Sequence, residues 1–165
     1  MRGLTTWTAA AVVLCGILAA AGAATAAMQG VNIGSPSLNG YFTVDGDQVT
    51  VVGVGTALWS WSDSFHFACQ PITGDATVTV RLVSYENLQT YTKSGIMFRE
   101  SLDANAMNAF CGLRGSSSVT FQRRTVTAGG TSETRQSGGA PRWLRLVRSG
   151  DDFSAYHSAD GATWT

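Results

Sequence analysis

Charge is scarce in this sequence: only 13% of the 165 residues are Asp, Glu, Lys or Arg, and 11 basic residues balance 11 acidic ones. A chain so balanced has no bulk attraction for nucleic acid. Proline, at 3 residues, is too rare and charge too low for a disordered chain, and the 2 histidines, His66 and His157, are isolated in sequence with Ser and Asp neighbours that such a composition supplies by chance, so a nucleophilic triad is unsupported. Cysteine, at 3 residues, is equally sparse and has no His or Asp at ligand spacing, which leaves a zinc site without support. Long hydrophobic runs are missing too: the one apolar stretch, residues 9–23, falls short of the ~20 residues that cross a bilayer and is rich in weakly hydrophobic Ala. What is abundant is apolar residues, 44%, together with 19 Gly, a composition that suits one compact domain with many turns.

The short apolar stretch has the form of an export signal. Arg2 supplies the positive start, residues 9–23 the apolar centre, and Ala24-Thr25-Ala26 the small residues of a cleavage site. Residues 1–26 are therefore read as a signal peptide and residues 27–165 as a secreted, extracellular domain with no membrane span after cleavage. Removal of the leader leaves Cys69 and Cys111 in an oxidising compartment, where a bridge between them would be worth roughly 4 kcal/mol in the chain-entropy model. Two buried free thiols are the alternative.

Beyond residue 27 no stretch places apolar residues at helical spacing for three turns, and short β-rich runs bounded by Gly, Asp, Asn and Ser recur. Residues 41–44 and 48–54 flank Asp45-Gly46-Asp47, a hairpin signal. Residues 76–83 alternate, with Val78, Val80 and Leu82 on one face and Thr77, Thr79 and Arg81 on the other. Residues 95–98 are apolar on both faces, as in a covered central strand. Residues 127–140 read as a loop with a short strand inside, and residues 142–148 and 153–158 as a hairpin around Ser149-Gly150-Asp151-Asp152. Roughly ten strands at such spacing mean an all-β sandwich or barrel. Residues 104–149 hold seven Arg (114, 123, 124, 135, 142, 145, 148) against the single acid Glu133. Outward alternation along strands accounts for them as solvated side chains, and a basic face is the other reading.

Trp59, the run Asp63-Ser64-Phe65-His66-Phe67, Gln70-Pro71, Gly74-Asp75, the block from Ser94 through Gly95-Ile96-Met97-Phe98-Arg99-Glu100 to Ser101, Phe121-Gln122-Arg123-Arg124, the run Trp143 to Arg148 and Ser158-Ala159-Asp160-Gly161 occur in this order. Together they resemble a concanavalin A-like lectin/glucanase-type module, the bacterial secreted domain of unknown function labelled regulation-of-enolase-like. The resemblance spans about residues 31–165. It implies a two-sheet antiparallel β-sandwich, a jelly roll, attached in many cases to carbohydrate-active or other extracellular proteins. Two departures accompany it: Ala57 stands where members carry an acid two positions before the tryptophan, and the module runs some thirty residues past the equivalent of Thr165, so the last strands of the sandwich are expected to be lacking.

Glycosidases on such sandwiches need two carboxylates about 5–5.5 Å apart for retention, and no strand here offers the pair. Asp45, Asp47, Asp151 and Asp152 sit at turns. No cofactor is expected; Asp45 or Asp151 would be a calcium ligand, but two carboxylates fall short of six to eight oxygens. Sugar recognition instead asks for aromatic faces with hydrogen-bonding groups around them. Trp143, Arg145 and Tyr156 share a sheet face if the Gly150 turn is tight, Tyr91 and Lys93 lie near the sheet rim, and Trp59 and Arg99 complete the candidate ligand-binding set. The expected function is a non-catalytic, lectin-like module whose partner is carbohydrate or a cell-surface polymer. The alternatives are a glycoside hydrolase of the same superfamily and an extracellular structural or protein-interaction module.

Overall fold

A computed structural model describes residues 6–11, 14–15 and 27–165 of the chain. The cleavage site expected at residues 24–26 lies outside the described residues. The elements are β1 (Thr6–Ala11), β2 (Leu14–Cys15), β3 (Gln29–Ile33), β4 (Tyr41–Asp45), β5 (Gln48–Val52), β6 (Ala57–Trp59), β7 (Ser62–Thr73), β8 (Ala76–Leu82), β9 (Lys93–Arg99), β10 (Asn108–Arg114), β11 (Ser118–Arg124), β12 (Ser132–Ser137), β13 (Arg142–Ser149) and β14 (Asp152–Ser158). The fold is all-β, and among the described residues no helix is long and apolar enough to cross a membrane.

The larger layer is an eight-stranded sheet in the order β12-β11-β10-β9-β1-β7-β3, with β6 paired to β7. Facing it are two three-stranded sheets, β14-β13-β8 and β2-β5-β4. Neighbouring strands pair antiparallel. The period-two rule for strands explains which residues fill the space between the layers. Val78, Val80 and Leu82 of β8 and Leu144 and Leu146 of β13 meet Ile96 and Phe98 of β9 and Cys111 and Leu113 of β10, all buried. Each such aliphatic side chain contributes about 1.5–3 kcal/mol through its burial.

Two hairpins turn on Gly-Asp pairs. Asp45 pairs with Gln48 and Ser149 with Asp152, so each loop is two residues long. Gly46 and Gly150 carry φ of 59° and 60° while no positive φ falls on Asp47 or Asp151, the signature of a type II′ turn. The sequence reading placed the turn one residue earlier, on Asp45-Gly46; only one left-handed position is needed, and glycine takes it. A third pair, Gly74-Asp75, carries the chain from the larger layer to the smaller one. Asp75 Oδ1 accepts the Gly150 amide at 2.7 Å, tying that corner to the β13–β14 turn.

Four strands escaped the sequence reading: β1 and β2, in the segment read as a leader, and β3 and β6. β3 and β6 are short and border β7, where pairing rather than alternation makes them strands. The third hairpin expected at Asp160-Gly161 is present only as its first rung: Thr165 and His157 exchange backbone hydrogen bonds at 3.0 Å. Asp160 caps that turn, accepting from the amides of Ala162 and Thr163 at 2.9 and 2.8 Å.

The bridge expected between Cys69 and Cys111 is not formed. Both thiols are free and buried. Cys111 faces the space between the layers and Cys69 the opposite side of the same sheet. β9 and β1 stand between their strands, which puts the two roughly 14 Å apart at about 4.8 Å per strand, beyond the ~7 Å reach of a disulfide.

Candidate functional site

The outer face of the larger sheet, turned away from the smaller layer, is where polar and aromatic side chains collect. The register of β9 to β12 lays it out in rows. Arg99, Asn108 and Arg124 form the first, Met97, Phe110, Gln122 and Glu133 the second, Gly95, Gly112, Thr120 and Arg135 the third, and Lys93, Arg114, Ser118 and Ser137 the fourth. Ile33, Phe67, Cys69, Met97 and Phe110 make a second apolar cluster on this face. Gly112 must be glycine: a Cβ there would lie 2.3 Å from the Phe110 ring and 2.4 Å from the Ser94 carbonyl oxygen.

The first row is a buried ion cluster under the β6–β7 hairpin. Asp63 accepts from Arg99 Nη1 at 3.1 Å, from Arg124 Nη1 and Nη2 at 2.9 and 2.6 Å, and from Asn108 Nδ2 at 3.3 Å. The remaining guanidinium donors reach backbone carbonyls: Arg99 those of Ser101 and Asp103 at 2.8 and 2.6 Å, Arg124 those of Ser60 at 3.1 and 3.0 Å and of Ala106 at 3.0 Å. One carboxylate and a ring of carbonyls thus hold two charged arginines out of water. The cluster also fixes Ser60, a non-glycine residue at φ 63°, whose carbonyl further accepts from Thr131 Oγ1 at 2.7 Å. Ser60 stands between Trp59 and Trp61, so the buried arginines set the backbone that presents both rings.

Farther along the same face the aromatic and basic groups interlock. Lys93 Nζ donates to the Leu58 carbonyl at 2.7 Å and lies 5.3 Å from the Trp59 ring centre. Arg114, paired with Lys93 in the sheet, holds its guanidinium 4.7 Å from the Tyr91 ring centre. Trp59 and Tyr91 remain 44% and 68% exposed, so each ring is open to solvent while a cation rests against it. Burial pulls the Lys93 ammonium down to about 8, with Glu133 opposing and Arg114 reinforcing the fall.

Glu133 on β12 anchors this polar group. It accepts from Thr120 Oγ1 at 2.7 Å and Gln122 Nε2 at 2.9 Å, and meets Arg135 at 3.1 Å and Arg114 at 3.9 Å. Burial raises its pKa, but the bonds from Thr120 and Gln122 and the charges of Arg114 and Arg135 outweigh that and hold it below the usual carboxylate range. Glu133 is therefore an ionised acceptor, unlike the raised carboxyl a glycosidase uses as its acid. Gln122 Oε1, buried beside it, has no partner. Against Arg114 and Arg135 opens a cleft of about 490 Å³.

Of the residues expected to bind ligand, the structure brings Trp59, Lys93 and Tyr91 together here. Arg99 shares the face but is fully buried, its donors engaged by Asp63 and two carbonyls. Trp143, Arg145 and Tyr156 lie on the opposite side of the sandwich, on one face of β13 and β14 as the two-residue loop requires. There Arg145 stacks 3.8 Å from the Trp164 ring centre and donates to Thr79 Oγ1 at 3.2 Å. The sequence reading met Arg114, Arg135 and Glu133 only as parts of a basic stretch and passed over Thr120 and Gln122. Their signal was the polar set Thr120, Gln122, Arg124 alternating with Val119 and Phe121, and the one acid among seven arginines.

Among the described residues no group of three or more His, Cys, Asp or Glu is placed to hold a metal ion. Comparison of the chain with protein-family models, with curated proteins and with solved structures gives no match.

Proposed function

We propose that this chain is a secreted, non-catalytic module of the concanavalin A-like kind that binds carbohydrate on the outer face of its larger sheet. The observation that carries the reading is the Trp59–Lys93–Arg114–Tyr91 series, in which two solvent-open rings flank cations on paired strands. Such rings offer apolar faces to the C–H surface of a pyranose, and the surrounding ammonium, guanidinium and hydroxyl groups match its hydroxyls. Acid–base cleavage finds little support on this face: Glu133 is ionised, and Asp63 is enclosed by two arginines.

A glycan array and affinity electrophoresis in polysaccharide gels test the proposal. Retention by at least one glycan, lost in Trp59→Ala and Tyr91→Ala, is the expected result. No retention by any glycan overturns it and leaves a structural or protein-interaction module. Release of reducing ends from a polysaccharide would instead establish a hydrolase.

A further inference from the structure

We infer that the ligand of this face is an acidic sugar chain, one bearing carboxylate or sulfate groups, and that Arg114 and Arg135 read its charge. The inference rests on the carbohydrate-binding proposal and narrows it. The cleft beside these two arginines is lined otherwise mostly by amide and hydroxyl groups, including Asn87, Gln89, Thr90 and Ser118, with Leu88 its one large apolar side chain and no carboxylate. Its volume, about 490 Å³, lies within the ~300–1,000 Å³ of small-ligand sites. Lys93, Arg114 and Arg135 face one acid, Glu133, so the face carries excess positive charge although the chain as a whole is balanced.

The arrangement of these arginines suits anion recognition. Glu133 engages Arg135 through Nε, and approaches Arg114 no closer than 3.9 Å. Glu133 thereby orients both guanidiniums from behind without neutralising the pair. Tyr91, stacked on Arg114, lines the chain beside the cleft with a ring face. A planar guanidinium fork matches a carboxylate or sulfate in a way a neutral hydroxyl does not. The third cation, Lys93, stands one strand away under Trp59, so an acidic unit at the cleft has a second positive contact for its neighbour along the chain. Inorganic polyphosphate carries the same sign of charge without the sugar's acidic groups, and serves as the control for charge alone.

The experiment is calorimetric titration of the full chain with oligogalacturonate, with its fully methyl-esterified counterpart of equal length, with a sulfated oligosaccharide, and with inorganic polyphosphate, at low and at physiological salt. The expected result is that at least one of the two acidic sugars binds at least about tenfold tighter than the ester and than polyphosphate. Arg135→Gln, at a side chain 54% exposed and so safe for folding, should narrow the acid-over-ester preference by about tenfold or more, in line with a lost charged hydrogen bond. Binding of both acidic sugars no tighter than the ester, or no tighter than polyphosphate, overturns the inference while the carbohydrate reading stands. An unchanged preference in Arg135→Gln and in Arg114→Gln, with circular dichroism showing both folded, overturns it as well. Binding of neutral glycans alone on the array does the same, whereas an array with no retained glycan removes the underlying proposal too.

Discussion

Replacing Asp63 by Asn keeps the size of the side chain and removes the one negative charge in the buried cluster. Arg99 and Arg124, both fully buried, then share a site with carbonyl groups but no counter-ion. The new amide also turns a donor toward the three guanidinium nitrogens and the Asn108 amide that the carboxylate accepts from. Breaking a buried ion pair by removing one partner costs about 3–5 kcal/mol. Here a single carboxylate serves two arginines, so the upper half of that range, about 4–5 kcal/mol, is expected, short of twice the value because the carbonyls of Ser60, Ala106, Ser101 and Asp103 remain. Set against a total stability of ~5–15 kcal/mol, this loss leaves little. At roughly 3–4 °C per kcal/mol for a domain of this size, the melting temperature should fall by about 12–20 °C. Thermal melting followed by circular dichroism at neutral pH, with urea titration as a check on cooperativity, measures it. A change of under about 3 °C would show that the cluster is solvated and the reasoning wrong. Substituting all three partners together, Asp63→Leu with Arg99→Met and Arg124→Met, should recover much of the loss, since no uncompensated charge is then left inside.

Two further outcomes follow from the buried titratable groups. Burial holds the His66 pKa below its ordinary value of 6.5, so the unfolded chain binds a proton that the folded chain resists. Stability should therefore decline as pH falls below about 6.5, and His66→Asn should flatten that slope, leaving the share of His157, whose pKa is lowered by burial and by Arg142; urea unfolding midpoints across pH 5–7.5 that are equally steep in both chains would contradict this. The thiols of Cys69 and Cys111 are pushed by burial up to about 11 and about 12. Iodoacetamide should leave both unmodified in the native protein and alkylate both in denaturant without any reductant, as read by intact mass; a bridged pair would resist under both conditions.

The alternation of β8 and the doubly apolar run of β9 made the sandwich core legible, because strand period alone decides which side chains face the second layer. The Gly-Asp turns likewise announced the hairpins, and the composition of residues 127–140 announced β12 inside its loop. The outer face was less legible. Lys93 and Trp59 are 34 residues apart in sequence, and nothing local shows that one rests against the other. Arg99 read as an exposed functional arginine because its partner Asp63 lies 36 residues away. The cysteines misled for a related reason: two thiols in a chain read as exported suggest a bridge, but parity along their strands sends Cys69 and Cys111 to opposite faces, and β1, one of the two strands between theirs, lies in the segment read as a leader.

One placement bears on how such a protein is made. β1, which belongs to the segment read as a leader, pairs with β7 on one side and β9 on the other, with Ala10 opposite both Cys69 and Met97. If residues 1–26 are such a leader, a precursor folded in this way would keep β1 inside the sheet, where an export receptor has no access to it. Folding and translocation would then be competing fates of one nascent chain, and the faster commits it. Were residues 1–26 removed, β7 and β9 would run parallel across a gap about 9.6 Å wide, two strand spacings, and their facing amides would need either each other or a newly supplied strand. Amide exchange at residues 69–73 and 96–99, compared between precursor and mature chain, reads that handover directly: if removal of the leader leaves protection there unchanged, β1 is no part of the working sheet.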